Sequence, residues 1–200
     1  MNMFCFQCQE TARGTGCTVM GVCGKDPQTA AYMDVLLYAV RGIAIVNRTL
    51  REKGTADNEI DHFVLDALFC TITNANFDDE AIIVRIKKAF EIKNILVGTA
   101  KKRNIALPDM PEVAYFVSEE NYLAEAAEVG VLSEPNEDLR SLKQMVIYGV
   151  KGAAAYTEHA LNLGFEDHDI YAMIENALVE ISRSDISAEE LVSLVLNVGE

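Results

Sequence analysis

The sequence predicts an all-α protein built from two three-helix units, preceded by a cysteine-rich loop. Three observations predict it. Apolar residues recur at helical spacing from residue 26 onward. A stretch of the first long helix returns in register 110 residues later. Four of the five cysteines crowd into the first 23 residues, where neither a helical nor a strand period is present.

The elements follow in order. Residues 1–25 hold Cys5, Cys8, Cys17 and Cys23 together with Gly14, Gly16, Gly21 and Gly24, and read as a ligand-bearing loop. Residues 26–103 form the first unit. Asp26-Pro27 is a helix start, an N-cap acid followed by proline at the first helical position. Val35, Leu36, Ala39, Val40 and Ile43 give that helix its apolar face, and Gly54 stops it after about Lys53. A second helix uses Ile60, Phe63, Val64, Ala67, Leu68 and Thr71. A third starts near Asp78-Asp79-Glu80 and ends with Lys101, Lys102 and Arg103, charges that complement the helix dipole at each end.

Residues 104–137 contain Pro108, Pro111 and Pro135 and read as a connector. A short helix from about Glu119 to Glu128 is expected there, capped by Ser118 and closed by Gly130. Residues 138–200 form the second unit. Leu37-Tyr38-Ala39-Val40-Arg41-Gly42-Ile43-Ala44 aligns with Ile147-Tyr148-Gly149-Val150-Lys151-Gly152-Ala153-Ala154, with Tyr, Val, a base, Gly and Ala in register. The helix at Asp169 to Ile181 aligns with that at Ile60 to Thr73, and Ser187 to Glu190 is a capping box. An internal duplication explains this better than chance likeness between helices. Gly42 and Gly152, inside helices, are expected where helices approach closely, and Tyr38 and Tyr148 as core aromatics. The apolar stripe is still running at Gly199-Glu200, as expected of a chain cut at a domain edge.

Composition narrows the function. The net charge of −14 repels phosphate backbones and argues against nucleic-acid binding. The apolar stretch Val35 to Val46 is short and interrupted by Arg41, which argues against a membrane span, and no export signal is visible. A cytoplasmic location is expected. A tight cysteine cluster there points to a metal or redox centre rather than a disulfide framework.

The cluster reads Cys5-x2-Cys8-x8-Cys17-x5-Cys23. Four thiolates suit zinc or an iron–sulfur cluster. Zinc ribbons pair two Cys-x2-Cys steps and this chain has one. The glycines free backbone N–H groups to approach sulfur, and Gln7 and Gln9 are further donors. These features favour an iron–sulfur cluster over zinc or ordinary thiols without excluding either. Cys70 reads as a buried structural thiol, and His62, His159 and His168 as isolated surface or capping residues. Lys87-Lys88 and Lys101 to Arg103 read as solvated faces, with docking of an acidic redox partner as the other reading.

Met3-Phe4-Cys5-Phe6-Gln7-Cys8-Gln9-Glu10-Thr11, Gly14-Thr15-Gly16-Cys17 and Gly21-Val22-Cys23-Gly24-Lys25 closely resemble the start of hybrid-cluster (prismane, or hydroxylamine reductase) proteins. The resemblance runs through Tyr148-Gly149-Val150-Lys151-Gly152 to Glu158-His159-Ala160 and covers essentially the whole chain. It implies a helical N-terminal domain of two three-helix bundles. It also implies that Cys5, Cys8, Cys17 and Cys23 ligate a cluster near the surface. The x8 interval is similar to the short-spaced form, which implies [4Fe–4S]. The hybrid iron–sulfur–oxygen cluster of such proteins has its ligands in later domains, beyond residue 200. The resemblance therefore implies an electron-relay role beside those domains and a redox-protein donor, in an enzyme that reduces hydroxylamine to ammonia and water, with nitric oxide reduction as another activity discussed for the family. The 200-residue chain alone is expected to be inactive. The competing reading is a helical interaction module with a structural zinc.

Overall fold

The computed structural model describes residues 3–8, 10–55 and 57–200, and among them all regular structure is helical. Gln9, expected as a donor in the loop, lies outside the described residues. The helices are α1 (Pro27–Arg51), α2 (Asn58–Cys70), α3 (Asp79–Lys102), α4 (Pro111–Ala114), α5 (Tyr122–Val129), α6 (Glu137–Asn162), α7 (His168–Glu180) and α8 (Ala188–Gly199).

Local chemistry sets the boundaries of the six longest helices. Asp26, Asp57, Asp78, Asn136 and Asp167 each accept a hydrogen bond from a backbone N–H in the first turn of the helix that follows. Ser187 and Glu190 form the expected capping box. Gly54 and Gly164 follow α1 and α6 at φ +75° and +83°, a left-handed turn that glycine enters without a Cβ penalty. The starts of α1 and α6 are 110 residues apart, as are those of α2 and α7.

The two halves of the chain, expected as separate units, interlock. α1 packs along α3 and α6 along α8, as each unit's order suggests, but α2 lies chiefly against α6 and α7 chiefly against α1. One continuous hydrophobic core takes residues from both units. α1 is its axis, with Val35, Leu36, Ala39, Val40, Ile43, Ala44, Ile45, Val46 and Leu50 fully buried. By length and composition α1 is apolar enough to cross a membrane, and 83% of its most apolar window is buried inside this fold.

The connector departs from expectation. Residues Glu119–Asn121 form a 3-10 turn and α5 begins only at Tyr122. Ser118 makes no capping bond to the backbone; its hydroxyl donates to Glu120 instead. Gly130 does close α5, its N–H donating to the Ala126 carbonyl (2.9 Å), in an extended and not a left-handed conformation. The connector is held by Lys93 of α3, fully buried, whose Nζ donates to the carbonyls of Glu112 (2.8 Å) and Tyr115. The same ammonium stands 4.4 Å from the Phe116 ring centre.

Of the two helical glycines expected at close approaches, Gly42 meets close neighbours and Gly152 does not. The close approach at Gly42 comes from the short helix α4 of the connector and from α3: a Cβ would overlap the Glu112 carbonyl oxygen and stand 2.9 Å from Lys93 Cδ. Around Gly152 nothing lies within 4 Å. The close helix–helix contact in α6 falls at Gly149, where a Cβ would stand 2.8 Å from Val198 Cγ1 of α8.

Candidate functional site

The cysteine loop is fastened to the first turn of α1. Met3 and Cys17 are buried and pack with Ala30, joined by Cys5 and Ala12. Cys5 and Cys17 face each other across an isolated antiparallel bridge, with Cys5 N–H donating to Cys17 O (3.0 Å) and Cys17 N–H to Cys5 O (2.7 Å). Glycine makes this packing possible at two points. Gly16 has φ +136°, and a Cβ on it would stand 2.9 Å from the Phe4 ring. A Cβ on Gly21 would stand 3.0 Å from Cys23 Sγ.

Cys8 and Cys23, both half-buried, line one cleft of about 950 Å³ together with Phe6, Gln7, Asn74 and Tyr148. Among the described residues no three His, Cys, Asp or Glu side chains are grouped closely enough to hold a single metal ion. The four thiols thus share one loop without forming a preformed single-ion cage. As a donor set, four cysteine sulfurs on a glycine-bearing loop fit a soft metal centre, zinc or iron–sulfur.

Beneath the loop lies a residue the sequence reading overlooked. Lys151 of α6 is fully buried, and its Nζ donates to Gln7 Oε1 (2.9 Å) and to the carbonyl of Thr71 at the end of α2 (3.2 Å). Gln7 sits between Cys5 and Cys8, so the two bonds tie the loop to α6 and, through Lys151, to the end of α2. Lys25, two residues past Cys23, is also buried. Burial and the Lys25 charge push the Lys151 ammonium down to about 7; the Cys5 thiolate and Asp34 pull the other way. Burial likewise raises the Cys5 thiol, against the backbone N–H of Gln7 and the two lysines. The signal for Lys151 was present as the base shared by positions 41 and 151, but periodicity does not say which polar residue faces inward.

The register-equivalent base, Arg41, occupies a different corner. It pairs with Glu112 (2.5 Å) and donates to Ser182 Oγ (2.8 Å), just past the end of α7. The corner opens into a cavity of about 320 Å³ lined by Asp34, Tyr38, Gln144 and Ser182 among others. Burial raises the Asp34 carboxyl to about 7.

The remaining expectations divide. Cys70 is buried, its thiol donates to the Ala67 carbonyl (3.3 Å), and burial pushes it up to about 11. His62 meets Glu166 at 3.4 Å, and His168 and His159 stack edge-on to Tyr171 and Phe69. Tyr38 is half-buried under Tyr115, ring centres 4.8 Å apart. Tyr148 is 42% exposed on the cysteine cleft and is not a core aromatic, because no counterpart of the connector covers it. Lys87 pairs with Glu119 and Lys88 with Glu91 on the exposed face of α3.

A family model described as the prismane/CO dehydrogenase family matches residues 3–200. Proteins named hydroxylamine reductase are similar along the chain. That of Bacteroides thetaiotaomicron is 52% identical over 200 residues, covering 100% of this chain and 36% of the relative. That of Bacteroides fragilis is 50% identical with the same coverage, and that of Desulfitobacterium hafniense is 44% identical over 203 residues, 37% of its length. The chain spans little more than a third of the length of these relatives. On this match, over nearly every residue, the chain belongs to the prismane/CO dehydrogenase family.

Proposed function

We propose that this chain is an iron–sulfur electron-relay domain of a hydroxylamine reductase, with Cys5, Cys8, Cys17 and Cys23 as the ligands of a [4Fe–4S] cluster. One observation carries the reading. All four cysteines belong to a single loop, two opposed across a bridge and two on one cleft, and that loop rests on a buried cation. When bound, the cluster would supply storage for one electron. The chain's own residues do the rest. Met3, Cys17 and Ala30 pack the loop onto α1, the glycines at 16 and 21 leave room for ring and sulfur, and Lys151 fixes Gln7.

In the whole enzyme the reaction would be NH2OH + 2 e− + 2 H+ → NH3 + H2O, the electrons coming from a redox-protein donor. Nitric oxide is the alternative substrate. The later domains of such an enzyme would receive the electrons, in the cytoplasm, with no part for nucleic acid or membrane. This chain by itself should not turn over hydroxylamine.

The test is iron, zinc and acid-labile sulfide per chain on anaerobically purified protein, with the visible spectrum. About four irons and four sulfides, with absorption bleached by dithionite, are expected. One zinc and no sulfide, unchanged by anaerobic reconstitution with iron and sulfide, would instead establish a structural zinc module.

A further inference from the structure

We infer that Lys151 is the anchor and the fixed counter-charge of the group held by the four cysteines, and that it sets how readily that group is reduced. The inference rests on the cluster reading above and concerns this chain's own side chain.

Lys25, two residues past Cys23, is buried and also acts on Cys5; beyond it, the largely buried Arg41 and the fully buried Lys93 and Lys151 can be compared. Arg41 is neutralised by Glu112 at 2.5 Å. Lys93 has two carbonyls and the aromatic faces of Phe90, Tyr115 and Phe116. Lys151 is as fully buried as Lys93, yet its hydrogen-bond partners are a neutral amide oxygen and one carbonyl. Among the described residues it forms no ion pair and faces no aromatic ring; on α6 it is Lys143 that pairs, with Glu134. Asp34 acts on Lys151 without a direct ion pair, and burial pushes that carboxyl toward its neutral form. A buried ammonium with no bonded anion is costly, and it persists where an anion is supplied. The thiols of the adjoining loop become anionic on ligation, since a metal-bound thiol is deprotonated outright. Lys151 reaches that loop at Gln7, between two of the ligands. A positive charge held there favours the more negative, reduced state of a thiolate-bound cluster. Thr71 O fixes the ammonium from the other side, so the charge cannot swing away into water.

The test uses the 200-residue chain loaded anaerobically, with Lys151→Met, Lys151→Arg and, as a control on the same helix, Lys143→Met. At a fixed poise the ratio of reduced to oxidised cluster, read by absorption and EPR, should fall about tenfold in Lys151→Met, a shift of about 59 mV for one electron. It should stay within about twofold in Lys151→Arg and Lys143→Met. A cluster-loaded Lys151→Met chain with an unchanged ratio overturns the inference, as does an arginine variant shifted as far as the methionine one. The anchor is read separately on the metal-free chain. Gln7→Leu, which leaves the core intact, should speed alkylation of Cys8 and Cys23 severalfold; unchanged rates would refute the anchor even where Lys151→Met fails to fold. Absence of iron and sulfide from the wild-type chain after reconstitution would sink the cluster reading alone, and the alkylation rates would still decide the anchor.

Discussion

The corner at Arg41 and the corner at Lys151 occupy matching positions in matching helices, and they are built oppositely. Each base reaches the end of the other unit's middle helix: Arg41 meets Ser182 beyond α7, and Lys151 meets Thr71 beyond α2. At Arg41 the connector folds over the corner and supplies a carboxylate, Glu112. At Lys151 the cysteine loop takes that place and supplies an amide. The difference teaches that the helical frame offers two equivalent seats for a buried cation, and that the added segment decides its purpose. The closed corner pairs its base with a carboxylate, while the other leaves its base without a bonded carboxylate under the cysteine loop.

The comparison can be broken most severely at Glu112. Glu112→Ala strips Arg41 of its counter-ion in a largely buried setting and should cost about 3 kcal/mol in urea unfolding. A loss under 1 kcal/mol would mean that water already screens the pair. Next comes the glycine pair. Gly42→Ala drives a methyl into the Glu112 backbone and should destabilise by about 2 kcal/mol. Gly152→Ala meets open space inside a helix and should stabilise by about 1 kcal/mol. Opposite signs at register-equivalent positions are the sharpest expectation here, and equal shifts would dissolve the distinction.

A further difference between the corners is in pH. Asp34 and Gln144 are register equivalents, and only Asp34 titrates. Its carboxyl is raised to about 7 by burial, so between about 4 and 7 the folded chain holds a proton that the unfolded chain has lost. Its contribution is therefore present below about pH 4 and lost as pH rises through 7. Asp34→Asn should flatten the fall in stability between pH 4 and pH 7, and an unaltered slope would assign that titration elsewhere.

Much of this was legible in advance because it is local. Asp26-Pro27, Asp78 and the Ser187 to Glu190 box mark helix starts through bonds within a single turn, and Gly54 a stop through one backbone angle. The cysteine loop stood out because its residue types fit no helix. The connector was less legible: α5 starts at Tyr122, whose side chain is buried and packs beside Phe90, and that contact outweighs the cap at Ser118.

The sequence by itself determined the all-helical class, the six long helices and the four-cysteine loop, since spacing, caps and composition act over a few residues. Tertiary structure alone decided that α2 and α7 change partners, that Tyr148 stands on the cleft, and that Lys151 is buried under Gln7. The reason is that a base on a helix carries no local sign of what will cover it. Whether it meets water, a carboxylate or a cysteine loop depends on segments tens of residues away, brought together only when the two units share one core.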